Sequence, residues 1–95
     1  MQRETVLRTL NAQKQELFTK YGVTHLGIFG SVARDQATET SDVDIVVEMP
    51  PDLFQMVHIK EELERLLDVR VDLIRLHKYL NAFLKSRIDA EAIYV

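Results

Sequence analysis

Between Arg3 and Tyr21, the apolar residues Val6, Leu7, Leu10, Leu17, Phe18 and Tyr21 recur mostly at three- and four-residue spacing, with polar residues between them. That period stacks side chains on one face of an α-helix, so the segment is expected to be an amphipathic helix. Gly22 follows where a left-handed C-terminal cap is wanted. Val23–Phe29 reads as a short strand stopped by Gly30, and Ser31 is placed to cap a short helix running to about Ala37. After the polar stretch Thr38–Ser41, the segment Asp42–Met49 carries Val43, Ile45, Val46 and Val47, which predicts a strand. Pro50-Pro51 ends it, and Asp52 can cap a helix over Leu53–Leu67. The expected apolar stripe of that helix is Leu53, Phe54, Met56, Val57, Ile59, Leu63, Leu66 and Leu67. Val69–Leu76 alternates, with Val69, Val71 and Leu73 on one side and Arg70, Asp72 and Ile74 on the other, as a third strand would. A last helix is expected over about Lys78–Ile88 and a short edge strand over Ala92–Val95. Strands alternating with helices predict an α/β (α+β) fold, a small mixed sheet packed with helices.

Length changes this picture little: 95 residues allow a single domain, 1–95, with a modest core. The absence of cysteine excludes a disulfide framework, a thiolate zinc site and cysteine catalysis together. No apolar run approaches the roughly 18 residues that cross a bilayer, and the N-terminus lacks a signal-like stretch, so a cytoplasmic location is expected. Twelve Lys and Arg against fifteen Asp and Glu give a formal charge of −3. Direct nucleic-acid binding is therefore not expected, because that affinity comes mainly from basic surfaces that release counterions. The most basic stretch, with Arg75, Lys78, Lys85 and Arg87, reads as a solvated helix face. Phe54 and Met56 read as core, and His25, His58 and His77 match no metal-ligand spacing.

The chemistry concentrates in one stretch. Gly30-Ser31 is followed by ten residues, Val32–Ser41, and then by Asp42-Val43-Asp44. In a strand, residues two apart share a face, so Asp42 and Asp44 project together while Val43 and Ile45 pack the other way. Two adjacent carboxylates resist ionising, and a divalent cation resolves the conflict; hard oxygen ligands favour Mg²⁺, with Mn²⁺ as the substitute. If the third strand lies in register beside the second, Asp72 joins them. A lone Asp-x-Asp is a weak signal among seven aspartates, and Ser31 alone reads equally well as a helix cap. The Gly-Ser pair at a strand-to-helix turn is also where free backbone N–H groups attract phosphate. The combination of phosphate cradle, helix and clustered carboxylates is the informative signal. Gly27-Ile28-Phe29-Gly30 also matches the bare Gly-x-x-Gly of RNA-binding loops, but its Ile-Phe centre suits a buried strand.

Gly30-Ser31, ten residues, then Asp42-Val43-Asp44 resembles the signature of the DNA polymerase β-type nucleotidyltransferase superfamily. The runs Gly30–Arg34 and Ser41–Val46 resemble its minimal nucleotidyltransferase branch, and within it the MntA-type antitoxins paired with HEPN-type RNase toxins. The resemblance implies that Asp42 and Asp44 bind two Mg²⁺ ions carrying ATP, and that Asp72 completes the metal site and helps deprotonate the attacking hydroxyl. It further implies that Gly30 and Ser31 hold the β- and γ-phosphates, with Arg34 pairing either a phosphate or an acidic neighbour. Family members often carry glycine after the Ala-Arg pair; Asp35 stands there here, which leaves the path of that loop open. The implied function is transfer of AMP from ATP to a hydroxyl of a partner toxin, expected to be a tyrosine, since so short a chain offers little to hold an acceptor of its own. The alternatives are a catalytic subunit of a small-molecule or RNA nucleotidyltransferase, and a binding-only neutraliser without turnover.

Overall fold

The computed structural model describes residues 1–95. The element order is α1 (Arg3–Tyr21), β1 (His25–Phe29), α2 (Gly30–Ala33), β2 (Val43–Glu48), α3 (Leu53–Leu67), β3 (Val71–Arg75), α4 (Ala82–Glu91) and β4 (Ile93–Tyr94). The four strands form one mixed sheet in the order β3-β2-β1-β4. β1 pairs antiparallel with β2 and with β4, whereas β2 and β3 run parallel, joined by the α3 crossover. This is the expected α/β architecture; a second long connection, through α4, carries the chain from β3 at one edge to β4 at the other.

Alternation along the strands divides the core in two. Leu26 and Ile28 of β1, Val43, Ile45 and Val47 of β2, and Val71 of β3 point to one face, where Val6, Leu10 and Leu17 of α1 and Ile59, Leu63 and Leu67 of α3 cover them. On the other face only Phe29, Val46 and Ile88 are fully enclosed, with Ile74, Leu76, Leu80 and Leu84 around them. α4 is therefore anchored mainly by Ile88, and the second face is thinly covered towards the start of β2.

Helix ends follow local chemistry. Gly22 takes φ 70° after α1 and its N–H donates to the Phe18 carbonyl, as a C-terminal glycine cap should. Asp52 caps α3 by accepting from the Gln55 N–H at 3.1 Å. α4 begins at Ala82 rather than near Lys78 because Asn81 accepts from the N–H groups of Phe83 and Leu84 and fixes the start there. α2 stops at Ala33 instead of about Ala37. The Asp35 N–H donates to the Val32 carbonyl and the Gln36 N–H to that of Ser31, closing a Schellman motif with Asp35 at φ 60°. The chain thus adopts at Asp35 the left-handed backbone that glycine takes without cost. Ser31 is not the cap of α2: Phe29 occupies that position with no side-chain bond, and Ser31 lies inside the first turn.

The stripe read along α3 is too wide. Ile59, Leu63 and Leu67 are buried and Met56 packs against the core, but Leu53, Val57 and Leu66 are exposed and Phe54 is 81% exposed. A helix lying on a sheet buries a narrower arc than the apolar residues of α3 span.

Candidate active site

β1 ends and β2 begins side by side, and the site sits there. In the antiparallel register Phe29 lies opposite Asp44, so Gly30, the next residue, turns away immediately beside that aspartate. Gly30 takes φ +73°, and a methyl group on its α-carbon would stand 2.0 Å from Asp44 Oδ2. Glycine is therefore required twice over: for the left-handed backbone and for the space the carboxylate fills.

The parallel register of β2 and β3 pairs Asp44 with Asp72 directly. Neighbouring residues in register share a face, so these two carboxylates project side by side on the face that carries Val46 and Phe29. Asp42 stands two residues earlier, just before β2; it is exposed and its Oδ1 lies 3.5 Å from Arg70 Nε on the residue preceding β3. Burial pushes the Asp44 carboxyl above the usual carboxylate range, and the charges of Asp72 and Asp42 push it the same way, against the pull of Arg87 and Arg34. No three His, Asp or Glu side chains stand close enough together to cage a metal by themselves.

The residue pattern beside this geometry is matched by a family model described as nucleotidyltransferase domain, over residues 10–95. The chain belongs to the nucleotidyltransferase domain family. It is 38% identical over 94 residues to the protein adenylyltransferase MntA of Thermococcus cleftensis, covering 97% of this chain and 94% of that one. A Methanocaldococcus jannaschii protein provisionally named as the protein adenylyltransferase MJ0126 is 39% identical over 88 residues, 90% of each chain. Among solved structures, one provisionally described as a minimal nucleotidyltransferase superposes with a TM-score of 0.79 at 36% identity, covering 98% of this chain and 95% of that one. A chain from the complex of the tri-AMPylated Shewanella oneidensis HEPN toxin with its MNT antitoxin reaches 0.70 at 18% identity, over 97% of this chain and 70% of that one. At that identity the likeness speaks for the fold alone. As a member of this family the protein is a transferase of nucleotidyl groups.

Seen as a nucleotidyltransferase, the chain brings Gly30, Asp44 and Asp72 together and holds Asp42 at the edge of the group. Ser31 follows Gly30 in the first turn of α2. Arg34 is engaged with an acidic neighbour: its Nη1 donates to Glu91 Oε1 at 2.8 Å and its Nε to Gln36. The carboxylates suit a hard divalent cation. Their mutual repulsion is what such an ion relieves, and Mg²⁺ is commonly held by one or two protein carboxylates completed by substrate phosphate and water. Two residues were not legible as part of the site. Glu91, from the end of α4, accepts the Gly30 N–H at 2.9 Å through Oε2. Arg87, one turn earlier, lies 3.9 Å from the same oxygen and 5.9 Å over the Phe29 ring. The only sequence signal was a carboxylate in the last turn of a helix, where the dipole disfavours it.

None of the protein's surface hollows contains Asp42, Asp44 or Asp72. Asp42 and Asp72 are exposed and Asp44 is half-buried. No helix is long and apolar enough to cross a membrane.

Proposed function

We propose that this protein transfers AMP from ATP to a tyrosine hydroxyl of a HEPN-type RNase toxin and so acts as its antitoxin. The reading rests on one observation above the others: β2 and β3 run parallel with Asp44 beside Asp72, against a glycine whose missing side chain makes room for Asp44. Support for the acceptor class comes from the relatives named as protein adenylyltransferases and from the HEPN toxin complex that shares the fold. The exposure of Asp42 and Asp72 agrees with it, since it leaves the carboxylates accessible to an acceptor presented by another molecule.

In this reading Asp42, Asp44 and Asp72 hold Mg²⁺, or Mn²⁺ in its place, and Gly30 and Ser31 bind the β- and γ-phosphates. The metal, when bound, supplies positive charge that offsets the growing negative charge on the phosphoryl oxygens. Asp72 takes the proton from the tyrosine hydroxyl as its oxygen bonds to the α-phosphorus of ATP. The bond from that phosphorus to the β-bridging oxygen breaks, and pyrophosphate leaves with the electron pair. The Gly30 N–H and the Ser31 hydroxyl orient the departing phosphates in line with the attack. The product carries a phosphodiester whose charge and bulk oppose entry of RNA into the toxin.

The test is the intact mass of the partner protein co-purified with this chain, before and after Mg-ATP, beside an Asp42→Asn/Asp44→Asn control. Gain of whole AMP units on the partner, absent in the control, is the expected result. A stable complex whose partner gains no mass refutes protein modification and leaves a binding-only neutraliser or a different acceptor.

A further inference from the structure

Glu91 stands at a position unfavourable to the dipole of the helix that carries it. It is the last residue of α4, where the helix dipole opposes a carboxylate. It also bonds the same glycine that Asp44 presses against, so two carboxylates from distant parts of the chain meet around Gly30. Its side chain is only 19% exposed. Two hydrogen bonds and one longer ion pair offset these costs: the Gly30 N–H donates at 2.9 Å and Arg34 Nη1 at 2.8 Å, while the Arg87 guanidinium stands 3.9 Å away. One backbone amide and one guanidinium that donate to a small anion, with a second guanidinium close by, form a cationic seat that fits a phosphoryl group as well as a carboxylate.

We propose that Glu91 is a built-in stand-in for phosphate: its carboxylate occupies the anion seat made by Gly30, Arg34 and Arg87, and the phosphates of the incoming nucleotide bind there by displacing it. The inference rests on the reading that Gly30 cradles the nucleotide's phosphates. A triphosphate carries more charge and more acceptor oxygens than one carboxylate, so it wins the donors despite their being engaged. Displacement releases Arg34 and Arg87 together, which makes both arginines phosphate contacts in the loaded protein. It also frees the end of α4, which is tied to the sheet mainly through Ile88 and the two-residue β4. Binding of nucleotide is thereby coupled to the position of the C-terminal segment. Without nucleotide, Glu91 keeps free inorganic phosphate and other small anions from the seat.

Calorimetric titration with inorganic tripolyphosphate in Mg²⁺, on wild type, Glu91→Gln and Glu91→Ala, tests this. Both variants should bind about tenfold more tightly, since removing an internal competitor raises the competent fraction. Unchanged or weaker binding in variants that melt like wild type overturns the proposal and makes Glu91 a structural tie. A second measurement needs no variant. The ¹³C carboxyl resonance of Glu91 should move to its solvent-exposed position when wild type is saturated with tripolyphosphate, and a resonance that stays in place overturns the proposal. The two readings fail separately. Displacement of Glu91 without any AMP transfer counts against the transferase reading alone, whereas transfer without displacement counts against the stand-in alone.

Discussion

Replacing Gly30 with alanine should damage the site far more than the fold. Two costs follow from the geometry. The backbone at φ +73° is left-handed, which costs an L-residue about 1–2 kcal/mol. The added methyl group would stand 2.0 Å from Asp44 Oδ2 and 3.0 Å from its Cγ, so the carboxylate has to rotate away. Driving Asp44 off its rotamer adds about 0.5–1.5 kcal/mol. The sum, about 1.5–3.5 kcal/mol, lowers the melting temperature by roughly 6–28 °C for a domain of this size and stays below the about 5–15 kcal/mol that holds a typical domain folded. Transfer should fall about a hundredfold or more, because an ångström of misplacement at the reacting centre has that effect. If the aspartates hold Mg²⁺ or Mn²⁺ as proposed, the cation should raise the wild-type melting temperature and raise that of Gly30→Ala less. Gly27→Ala is the control. A methyl group there meets the Ile93 carbonyl at 2.7 Å and Tyr94 Cδ1 at 2.9 Å, so it loosens β4 without touching Asp44. Differential scanning calorimetry with and without cation, beside a transfer assay, separates the two variants. Wild-type melting and wild-type transfer in Gly30→Ala would refute the view that Asp44 occupies the space of the missing side chain.

Asp44→Asn should raise the stability of the metal-free protein at neutral pH. Its folded pKa is raised by burial and by Asp72 and Asp42, so the wild-type carboxyl adds stability below its unfolded pKa and loses it as pH rises through the folded value. The gap between the two proteins should therefore close towards pH 3, and melting curves across pH 3–8 that stay parallel would contradict it. Asp35→Gly should stabilise the chain by about 0.5–1 kcal/mol, seen as a higher urea midpoint at constant slope, because the Schellman position at φ 60° favours glycine. Phe54→Ser should change stability by no more than about 0.5 kcal/mol in the same urea titration, since the ring is 81% exposed; a larger loss would mean that the ring is buried in solution.

Much of the fold could be read because strand and helix periods are local. The hydrophobic spacing gave α1 and α3 to the residue, and each β-strand was found with its ends within two residues. Misreadings came where tertiary packing decides. The apolar residues at the start of α3 look like a core stripe in sequence, yet the sheet offers them no surface, and Phe54 is left in solvent. α2 is short because Asp35 bends left-handed, a conformation that sequence alone associates with glycine. The position of Asp72 was conditional on register, and the parallel pairing with Asp44 meets that condition.

The electrostatics of the site explain why Arg87 and Glu91 could not be read in the same way. The aspartate spacing is a local signature, since alternation alone puts Asp42 and Asp44 on one face. Arg87, which opposes their charge, and Glu91, which pairs with it, lie more than forty residues further along the chain and arrive at Gly30 and Arg34 only because α4 folds back over the thin face of the sheet. An arginine and a glutamate four apart on a helix look like an ordinary surface pair. In place, Arg87 and Arg34 draw the Asp44 carboxyl down while Asp72 and Asp42 drive it up, and Glu91 holds both arginines. Strand pairing thus sets Asp44 beside Asp72 within a field of arginine and carboxylate charges that, in the proposed function, a metal-bound triphosphate would rearrange, tying affinity for the cation to affinity for the triphosphate.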